Sequence, residues 1–342
     1  MTKRSLFLSC ILATTSFYAF SQQPDAKTLQ ETAKTFTRQG DYANAIMVLT
    51  GAVQKDPQNI ELQKDLAFNY YLEHEYAKGL NIARALTDRA DADVQCYQMM
   101  GMFLKAIDDS KECERMYKAG IKKFPRSGVL YNEYGEMLWA RQDNSAAIRQ
   151  WEKGIEVDPN YSSNYYNASR YYFYTTSDKI SSILYGEIFL NLESYSKRTA
   201  EIKDLLLEAY IKFYTGGGQG EKEQTPKSAF AIAFLGEMNK LSSDIAQGAT
   251  TESLIVLRTR FIIGWFNTYP TNFPFRLFDY QRQLLKDGMF DAYNEWIFGA
   301  AENLSVFQTW SNTHSEEYNK FINFQKGRIF KLPEGQYYQS AK

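Results

Sequence analysis

Side chains that bind metals or act as nucleophiles are few in this chain and widely spaced. The two histidines are His74 and His314, and no H-x-x-x-H or C-x-x-C spacing occurs. Zinc and similar metals need three or four such ligands, usually from closely spaced pairs. A G-x-S-x-G sequence, which would present a serine nucleophile on a tight turn, is also missing. The sequence therefore predicts neither a metal site nor a catalytic nucleophile.

Carboxylates are numerous, and Asp279, Asp291 and Glu295 are near one another in the sequence. A pair of carboxylates can act as acid and base only when the fold holds them at a defined separation. The local pattern does not distinguish these three residues from ordinary surface charge. We therefore interpret them as surface charge. An enzyme within residues 228–325 would need a polar pocket that the sequence does not indicate. We therefore predict a non-catalytic protein without a cofactor.

The stretch TGGGQGEKEQTPK, residues 215–227, is the most glycine-rich part of the chain. A phosphate-binding loop has the form G-x-x-x-x-G-K-[ST] and lies between a strand and a helix. Neither that spacing nor a preceding strand pattern is present. The composition predicts a flexible linker rather than a nucleotide site.

The segment 1–21 has the layout of a secretory signal peptide. Lys3 and Arg4 precede an apolar run from Ser5 to Phe20, and small residues follow at Ala19 and Ser21. The run is shorter than the roughly 20 residues that span a bilayer. The residues before Cys10 form a poor lipidation motif. We expect cleavage after Ser21 and export to the periplasm or cell envelope, with secretion as an alternative.

Without the segment 1–21 the chain has 37 basic and 40 acidic residues, a net charge of −3. Nucleic-acid binding is disfavoured because no basic excess is available to neutralise phosphates. Cys96 and Cys113 then remain, too few for a disulfide framework. They could form one bridge, but we favour two separate buried thiols, since free cysteine is usually packed in a core.

A 34-residue period runs through the first half of the chain. Pro57, Pro125 and Pro159 are separated by multiples of 34. In five frames of that length, positions 8 and 20 hold small residues throughout, which chance would give on the order of once in a million. These are Ala33, Ala67, Gly101, Gly135 and Ser169 at position 8, and Ala45, Gly79, Cys113, Ala147 and Ser181 at position 20.

This pattern resembles the tetratricopeptide repeat family, whose unit is a pair of antiparallel helices, here called helix A and helix B. The small residues allow close helix crossing, Gly40 ends helix A in the first repeat, and Pro57 and Pro159 end helix B. The resemblance implies an all-α fold, an α–α superhelix followed by further helices. The predicted organisation is a signal peptide (1–21), five repeats within 22–195 (26–59, 60–93, 94–127, 128–161 and 162–195), a capping helix (196–214), the linker (215–227) and a C-terminal helical region (228–342).

Members of this family bind partners in a concave groove lined by helix A. Carried over by register, the resemblance implies that the groove residues are Lys34, Arg38, Lys64, Phe68, Tyr71, Gln98, Met102, Lys105, Asn132, Glu136, Trp139, Tyr166, Arg170 and Phe173. Aromatic and arginine side chains at such places commonly dominate binding energy. Phe173 and Tyr174 could instead be covered by the following helix. In some members a set of lysine and asparagine residues binds the carboxylate tail of chaperones. This chain lacks that set, so a chaperone tail is disfavoured as its ligand.

Two functions fit these expectations. The first is an exported scaffold that binds another protein or peptide of the cell envelope in the groove. The alternative is an envelope receptor for glycans or small ligands that stacks sugars on groove aromatics. No membrane span is expected after signal cleavage.

Overall fold

The computed structural model describes residues 24–215, 228–269 and 271–336. All regular secondary structure in these ranges is helical, and the helices follow one another in repeated pairs. The prediction of an all-α fold of the repeat type is thereby confirmed. The predicted signal peptide and nearly all of the predicted glycine-rich linker lie outside the described residues.

Each of the five 34-residue frames contains two helices. Pairs α1/α2 to α9/α10 correspond to helix A and helix B of repeats 1 to 5. Their bounds are α1 Ala26–Gln39, α2 Tyr42–Lys55, α3 Ile60–Leu72, α4 Tyr76–Asp88, α5 Val94–Ala106, α6 Ser110–Lys123, α7 Gly128–Ala140, α8 Asn144–Val157, α9 Ser162–Thr175 and α10 Lys179–Leu192.

The rest of the described chain is helical as well. It consists of α11 Lys197–Thr215, α12 Ala229–Lys240, a 3₁₀ turn Ser242–Ile245, α13 Thr251–Thr268, α14 Arg276–Lys286, α15 Phe290–Asn294, a π-helical turn Glu295–Gly299, α16 Ala300–Thr313 and α17 Ser315–Gly327. The last described residues, 328–336, are non-helical.

The chain divides into two compact parts, the first ending at Ile82 and the second beginning at Ala83. The core of the first part includes the small residues Ala33, Ala45 and Ala52 together with Leu49 and Leu62, all essentially inaccessible to solvent. Within the ranges described above, no helix is both long enough and apolar enough to cross a bilayer.

The turns between helix A and helix B repeat a single backbone conformation. Gly40, His74, Asp108 and Gln142 occupy the same position of successive repeats, and all four have a positive φ, between 58° and 79°. This left-handed residue ends helix A, as predicted for Gly40. An aspartate follows in three of these turns and caps helix B, at Asp41, Asp109 and Asp143.

The small repeat positions are sites of close helix approach, as the period predicts. In repeats 3 and 4 a methyl group added at Gly101 would overlap the hydroxyl of Tyr117, and one added at Gly135 would overlap the indole of Trp151. Both aromatic rings come from the paired helix B. These crossings place consecutive A helices side by side on one face of the second compact part.

Helix α11 packs on α9 and α10, where the first helix of a sixth pair would lie. The 34-residue period shows no small residue at the corresponding eighth position, where Lys203 stands. The Lys203 ammonium group instead lies 3.9 Å from the ring centre of Trp296, in the π-helical turn. Burial lowers the pKa of Lys203 to about 8. Helix α11 therefore joins the repeat pairs to the C-terminal helices.

The C-terminal helices enclose an aromatic core. The rings of Phe230, Phe234, Phe261, Trp265 and Phe278 are buried and contact one another across α12, α13 and α14. Ring centres 5.0 to 6.5 Å apart in stacked, tilted and edge-to-face arrangements are favourable contacts between aromatic side chains. The aromatic residues of this region are thus largely explained by packing.

Candidate functional site

In the second compact part, a row of polar contacts connects the A helices. Gln98 and Lys105 of α5 both reach the carboxylate of Glu133 on α7, at 3.0 and 3.1 Å. The hydroxyl of Tyr117 donates to the same carboxylate at 2.8 Å. One glutamate of repeat 4 therefore fixes two predicted groove residues of repeat 3.

The next step of the row lies between α7 and α9. Asn167 donates from its side-chain amide to Asn132 at 2.9 Å and to Glu136 at 3.2 Å, and Asn132 also donates to Glu136 at 2.9 Å. Asn132 and Asn167 are buried, whereas Glu136 is exposed. The predicted groove residues Asn132 and Glu136 are thus together, held by a neighbour from repeat 5.

The last step joins α9 to α11. Tyr166 donates its hydroxyl to Glu201 at 2.5 Å, and Arg170 pairs with the same carboxylate at 2.8 Å. The guanidinium group of Arg198 lies 4.8 Å from the Tyr166 ring centre. Burial, followed by the hydrogen bond to Glu201, raises the pKa of Tyr166 to about 12. Tyr166 and Arg170 therefore have intramolecular partners on α11.

Several predicted residues on the A helices of repeats 3 and 4 are at least partly open to solvent, among them the four below. Lys105 and Glu136 are exposed, and Met102 and Trp139 are half-buried. The Trp139 ring is supported from behind by Trp151 of α8, with ring centres 5.6 Å apart, and by Tyr171 of α9, at 6.0 Å. We call Met102, Lys105, Glu136 and Trp139 the A-helix face.

Phe173 does not share this exposure. Its ring is buried, with the ammonium groups of Lys212 at 4.2 Å and Lys179 at 5.4 Å from the ring centre. The alternative expectation, that α11 covers the end of repeat 5, describes Phe173 correctly. Its neighbour Tyr174 is 62% exposed. Phe173 therefore contributes to packing in this structure rather than to an open surface.

The first compact part contains the remaining predicted residues. Lys34 and Arg38 of α1 are exposed, Phe68 of α3 is 42% exposed, and Tyr71 is half-buried. Lys64 is buried, and its ammonium group reaches Glu61 at 3.0 Å. Helices α1 and α3 are linked by polar contacts of the same kind, from Gln30 to Asp65 at 2.7 Å and from Thr37 to Asn69 at 2.8 Å.

The residues that hold the face together were not predicted, although the sequence contains a signal for them. Position 5 of one repeat meets position 6 of the next, as in Gln30 with Asp65, Gln98 with Glu133, Asn132 with Asn167 and Tyr166 with Glu201. A polar residue at position 6 in four of these frames was the available signal. Glu201 shows that the spacing extends into α11.

The side chains considered for chemistry do not converge. His74 and His314 are exposed and bond to the adjacent Tyr76 and Thr313. Cys96 and Cys113 are separate buried thiols, as favoured, and burial raises the pKa of the Cys113 thiol to about 11. In the part of the chain that the structure describes, no cluster of three or more histidine, cysteine or carboxylate side chains could hold a metal ion.

The interpretation of Glu295 as surface charge is wrong, because its side chain is buried. Asp291 is exposed, but Glu295 is buried within the π-helical turn. Burial first, and then the nearby Glu302 carboxylate, raise the pKa of Glu295 to about 7. Burial disfavours the charged form of a carboxyl group, so Glu295 keeps its proton to a higher pH than an exposed glutamate does.

Comparison with known proteins gives the following matches. Residues 36–102 match the model of a family described as tetratricopeptide repeat. No curated protein sequence matches the chain significantly. Among solved structures, TTC0263, a thermophilic TPR protein of Thermus thermophilus, is 12% identical with a TM-score of 0.44, covering 53% of this chain and 99% of its own.

Two further solved structures are similar in extent. MamA of Desulfovibrio magneticus RS-1, residues 41 to the end, is 14% identical with a TM-score of 0.38, covering 49% of this chain and 93% of its own. YrrB, described as a TPR protein with an unusual peptide-binding site, is 14% identical with a TM-score of 0.37, covering 54% of this chain and 92% of its own.

The family match covers repeats that the structure resolves as helix pairs, with small residues at their crossings and a common left-handed turn. Residues 36–102 thus carry tetratricopeptide repeats, and the helix pairs of the array have the fold of that family.

Proposed function

We propose that this protein is an exported, non-catalytic scaffold that binds a protein or peptide segment of the cell envelope on its A-helix face. The observation that supports this most is the way in which Trp139 is held. It is half-buried, backed by Trp151 and Tyr171, and it lies among side chains that the polar row fixes in place.

A fixed surface of this kind favours binding because little side-chain freedom is lost when a partner docks. Each rotamer-rich side chain that must be immobilised costs about 0.5 to 1.5 kcal/mol. Lys105 is already paired with Glu133, and Glu136 already accepts from Asn132 and Asn167. A partner with an apolar side chain for Met102 and Trp139, flanked by one basic and one acidic group, would match the face.

Export is part of the proposal and is supported by the N-terminal sequence alone. Lys3 and Arg4, the apolar run Ser5 to Phe20 and the small residue Ser21 have the order that a secretory signal requires. Fractionation of the native host, with N-terminal sequencing of the recovered protein, tests it. A chain that begins near residue 22 in the envelope fraction is expected, and an intact N-terminus in the cytosol would contradict export.

The binding proposal is tested by selecting short random peptides on the purified chain and measuring their dissociation constants by fluorescence anisotropy. The double variant M102A/W139A should lose more than tenfold in affinity, because truncation of a central aromatic anchor commonly costs about 2 kcal/mol. The matched control is Arg149→Ala, an exposed position on helix B of repeat 4. It should bind as wild type does.

The same titration with an oligosaccharide panel tests the glycan alternative. Saturable sugar binding that depends on Trp139, without any peptide binding, would replace the scaffold proposal. Peptide binding that survives in folded M102A/W139A would also reject it, since the face would then not be the site.

A further inference from the structure

The segment that follows α17, residues 328–334, lies along loops of the repeat array. The backbone N–H of Leu332 donates to Asn160 Oδ1 at 2.9 Å, and Asn160 Nδ2 donates to the carbonyl oxygen of Leu332 at 3.3 Å. Asn160 lies in the loop between α8 and α9. A side-chain amide has one donor group and one acceptor, so it can pair with both backbone groups of one extended residue. Such pairing recognises a peptide backbone whatever its side chain.

The C-terminal part of the chain meets equivalent places in three successive repeats. Arg126, Asn160 and Ser194 each follow the last by one full period and occupy the same repeat position. Arg126 pairs with Glu334 at 2.5 Å, and Ser194 accepts a hydrogen bond from Gln325 at 3.2 Å. From Gln325 in α17 through Leu332 to Glu334, the chain therefore meets these three repeats in the order opposite to their own.

Alternate side chains of the segment are buried. Phe330 and Leu332 are almost fully buried, whereas Ile329, 81% exposed, and Lys331 face solvent. The Phe330 ring lies 5.6 Å from that of Tyr280 on α14. This alternation is typical of an extended peptide on a surface, where backbone bonds supply affinity and pockets for every second side chain supply selectivity.

Arg328, two residues before the buried Phe330, is held by contacts of its side chain. The guanidinium group of Arg328 lies 4.1 Å from the ring centre of Tyr280 and donates to Asn191 Oδ1 at 2.6 Å. Asn191 is the last but one residue of helix B in repeat 5. At the other end, both partners of the Arg126–Glu334 pair are more than three-quarters exposed, so that contact contributes little.

We propose that Arg126, Asn160, Asn191 and Tyr280 form a binding site for extended peptides, here called the loop-edge site, and that residues 328–334 are its intramolecular occupant. Its ligand class is an unstructured peptide with two apolar side chains two residues apart, a basic residue before them and an acidic residue after them. A tethered segment has an effective concentration on the order of millimolar at its own site, so the site is filled in cis even when its intrinsic affinity is modest. The loop-edge site is separate from the A-helix face and does not depend on the function proposed there.

The test uses the full chain and a fluorescein-labelled peptide of residues 328–336, with binding followed by anisotropy. In the receptor Leu332→Asp, the introduced charge releases the chain's own segment, because the buried pocket cannot hold a carboxylate. This receptor should bind the peptide at least tenfold more tightly than wild type, whose segment competes. Lys331→Asp is the matched control, with the same new side chain at an exposed neighbour, and should behave as wild type does.

The role of Asn160 in binding the peptide backbone is tested in the Leu332→Asp chain. The double variant N160A/L332D should bind the peptide at least tenfold more weakly than L332D, because Asn160 makes both backbone bonds. Lack of binding to folded L332D, or binding that Asn160→Ala leaves unchanged, would overturn the proposal. A Leu332→Asp chain that fails to fold, judged by circular dichroism, would overturn it too, because the segment would then be part of the core rather than a ligand.

Discussion

The repeat array and the C-terminal helices use polar side chains in opposite ways, although residues of both belong to the compact part that begins at Ala83. Between A helices the polar contacts recur at one spacing and lie at a half-open surface, as in Gln98 with Glu133 and Tyr166 with Glu201. The C-terminal helices instead surround a buried carboxylate of the array, Glu187 of α10.

Glu187 collects partners from three separate helices. Arg258 of α13 forms an ion pair with it, Gln281 of α14 donates to it at 2.5 Å, and Tyr293 of α15 donates at 2.8 Å. Glu187 and Arg258 are both nearly inaccessible to solvent. The array thus builds a surface from a repeated contact, whereas the Glu187 cluster, which connects the C-terminal helices to the array, does not repeat.

This difference should appear most strongly in the effect of removing one carboxylate from each region. We expect Glu187→Ala to lower the free energy of unfolding by about 3 to 5 kcal/mol, because it leaves the Arg258 charge buried without its partner. Glu201→Ala, which removes a half-exposed carboxylate from the polar row, should cost about 1 kcal/mol or less. Urea unfolding curves measure both. Equal costs would show that the two networks are energetically alike.

The buried Glu295 should make the stability of the C-terminal region depend on pH. Because the pKa of Glu295 is raised to about 7, the folded chain holds a proton that the unfolded chain releases near pH 4.5. The free energy of unfolding should therefore fall as pH rises through that window, with the full loss above pH 7. Glu295→Gln should remove this fall and be more stable than wild type at pH 8, by on the order of 1 to 3 kcal/mol. Asp291→Asn, at an exposed neighbour, should keep the wild-type profile.

Close helix approach in the array is tested by adding one methyl group. Gly135→Ala should lower the free energy of unfolding by about 1 to 2 kcal/mol, because the new Cβ overlaps the Trp151 indole. Gly236→Ala on α12 meets no atom and should raise stability by about 0.5 to 1 kcal/mol, since alanine favours the helix. Chemical denaturation of the two variants gives the sign. A stabilised Gly135→Ala chain would show that the crossing has room to spare.

The smallest expected effect concerns the turn conformation of the repeats. Gln142 has a φ of 63°, a value that costs a residue with a Cβ about 1 to 2 kcal/mol. Gln142→Gly should therefore stabilise the chain by about 0.5 to 1 kcal/mol after allowance for the greater freedom of glycine when unfolded. Arg141→Gly, one residue earlier and at negative φ, should destabilise it. Thermal and urea unfolding should agree in sign for both.

The features that the sequence predicts are those whose contacts recur from one repeat to the next. Ala33, Gly101 and Ala147 indicate helix crossings because the same requirement recurs in every repeat, and the all-helical fold follows from that period. Gly40 predicts the turn, although His74 and Gln142 adopt its conformation without being glycine. The helices on either side of the turn fix its left-handed conformation, and this outweighs the preference of histidine and glutamine for a negative φ.

The rest could not be predicted because its contacts occur once. Glu187 and Arg258 are 71 residues apart, and Asn160 and Leu332 are 172 apart. Neither pair has a counterpart elsewhere in the sequence that would mark it. Phe173 has the spacing of a groove residue but is buried, since the covering side chain, Lys212, comes from a helix beyond the recognised repeats. The repeat spacing therefore predicts the partial exposure of Met102 and Trp139 but not the burial of Phe173 at the end of the array.

Hydrogen–deuterium exchange with and without a selected peptide shows whether a partner binds on the A-helix face. Exchange should slow in α5 and α7 and stay unchanged in α6 and α8. Protection confined to α6 and α8, or no protection at saturating peptide, would contradict binding on this face.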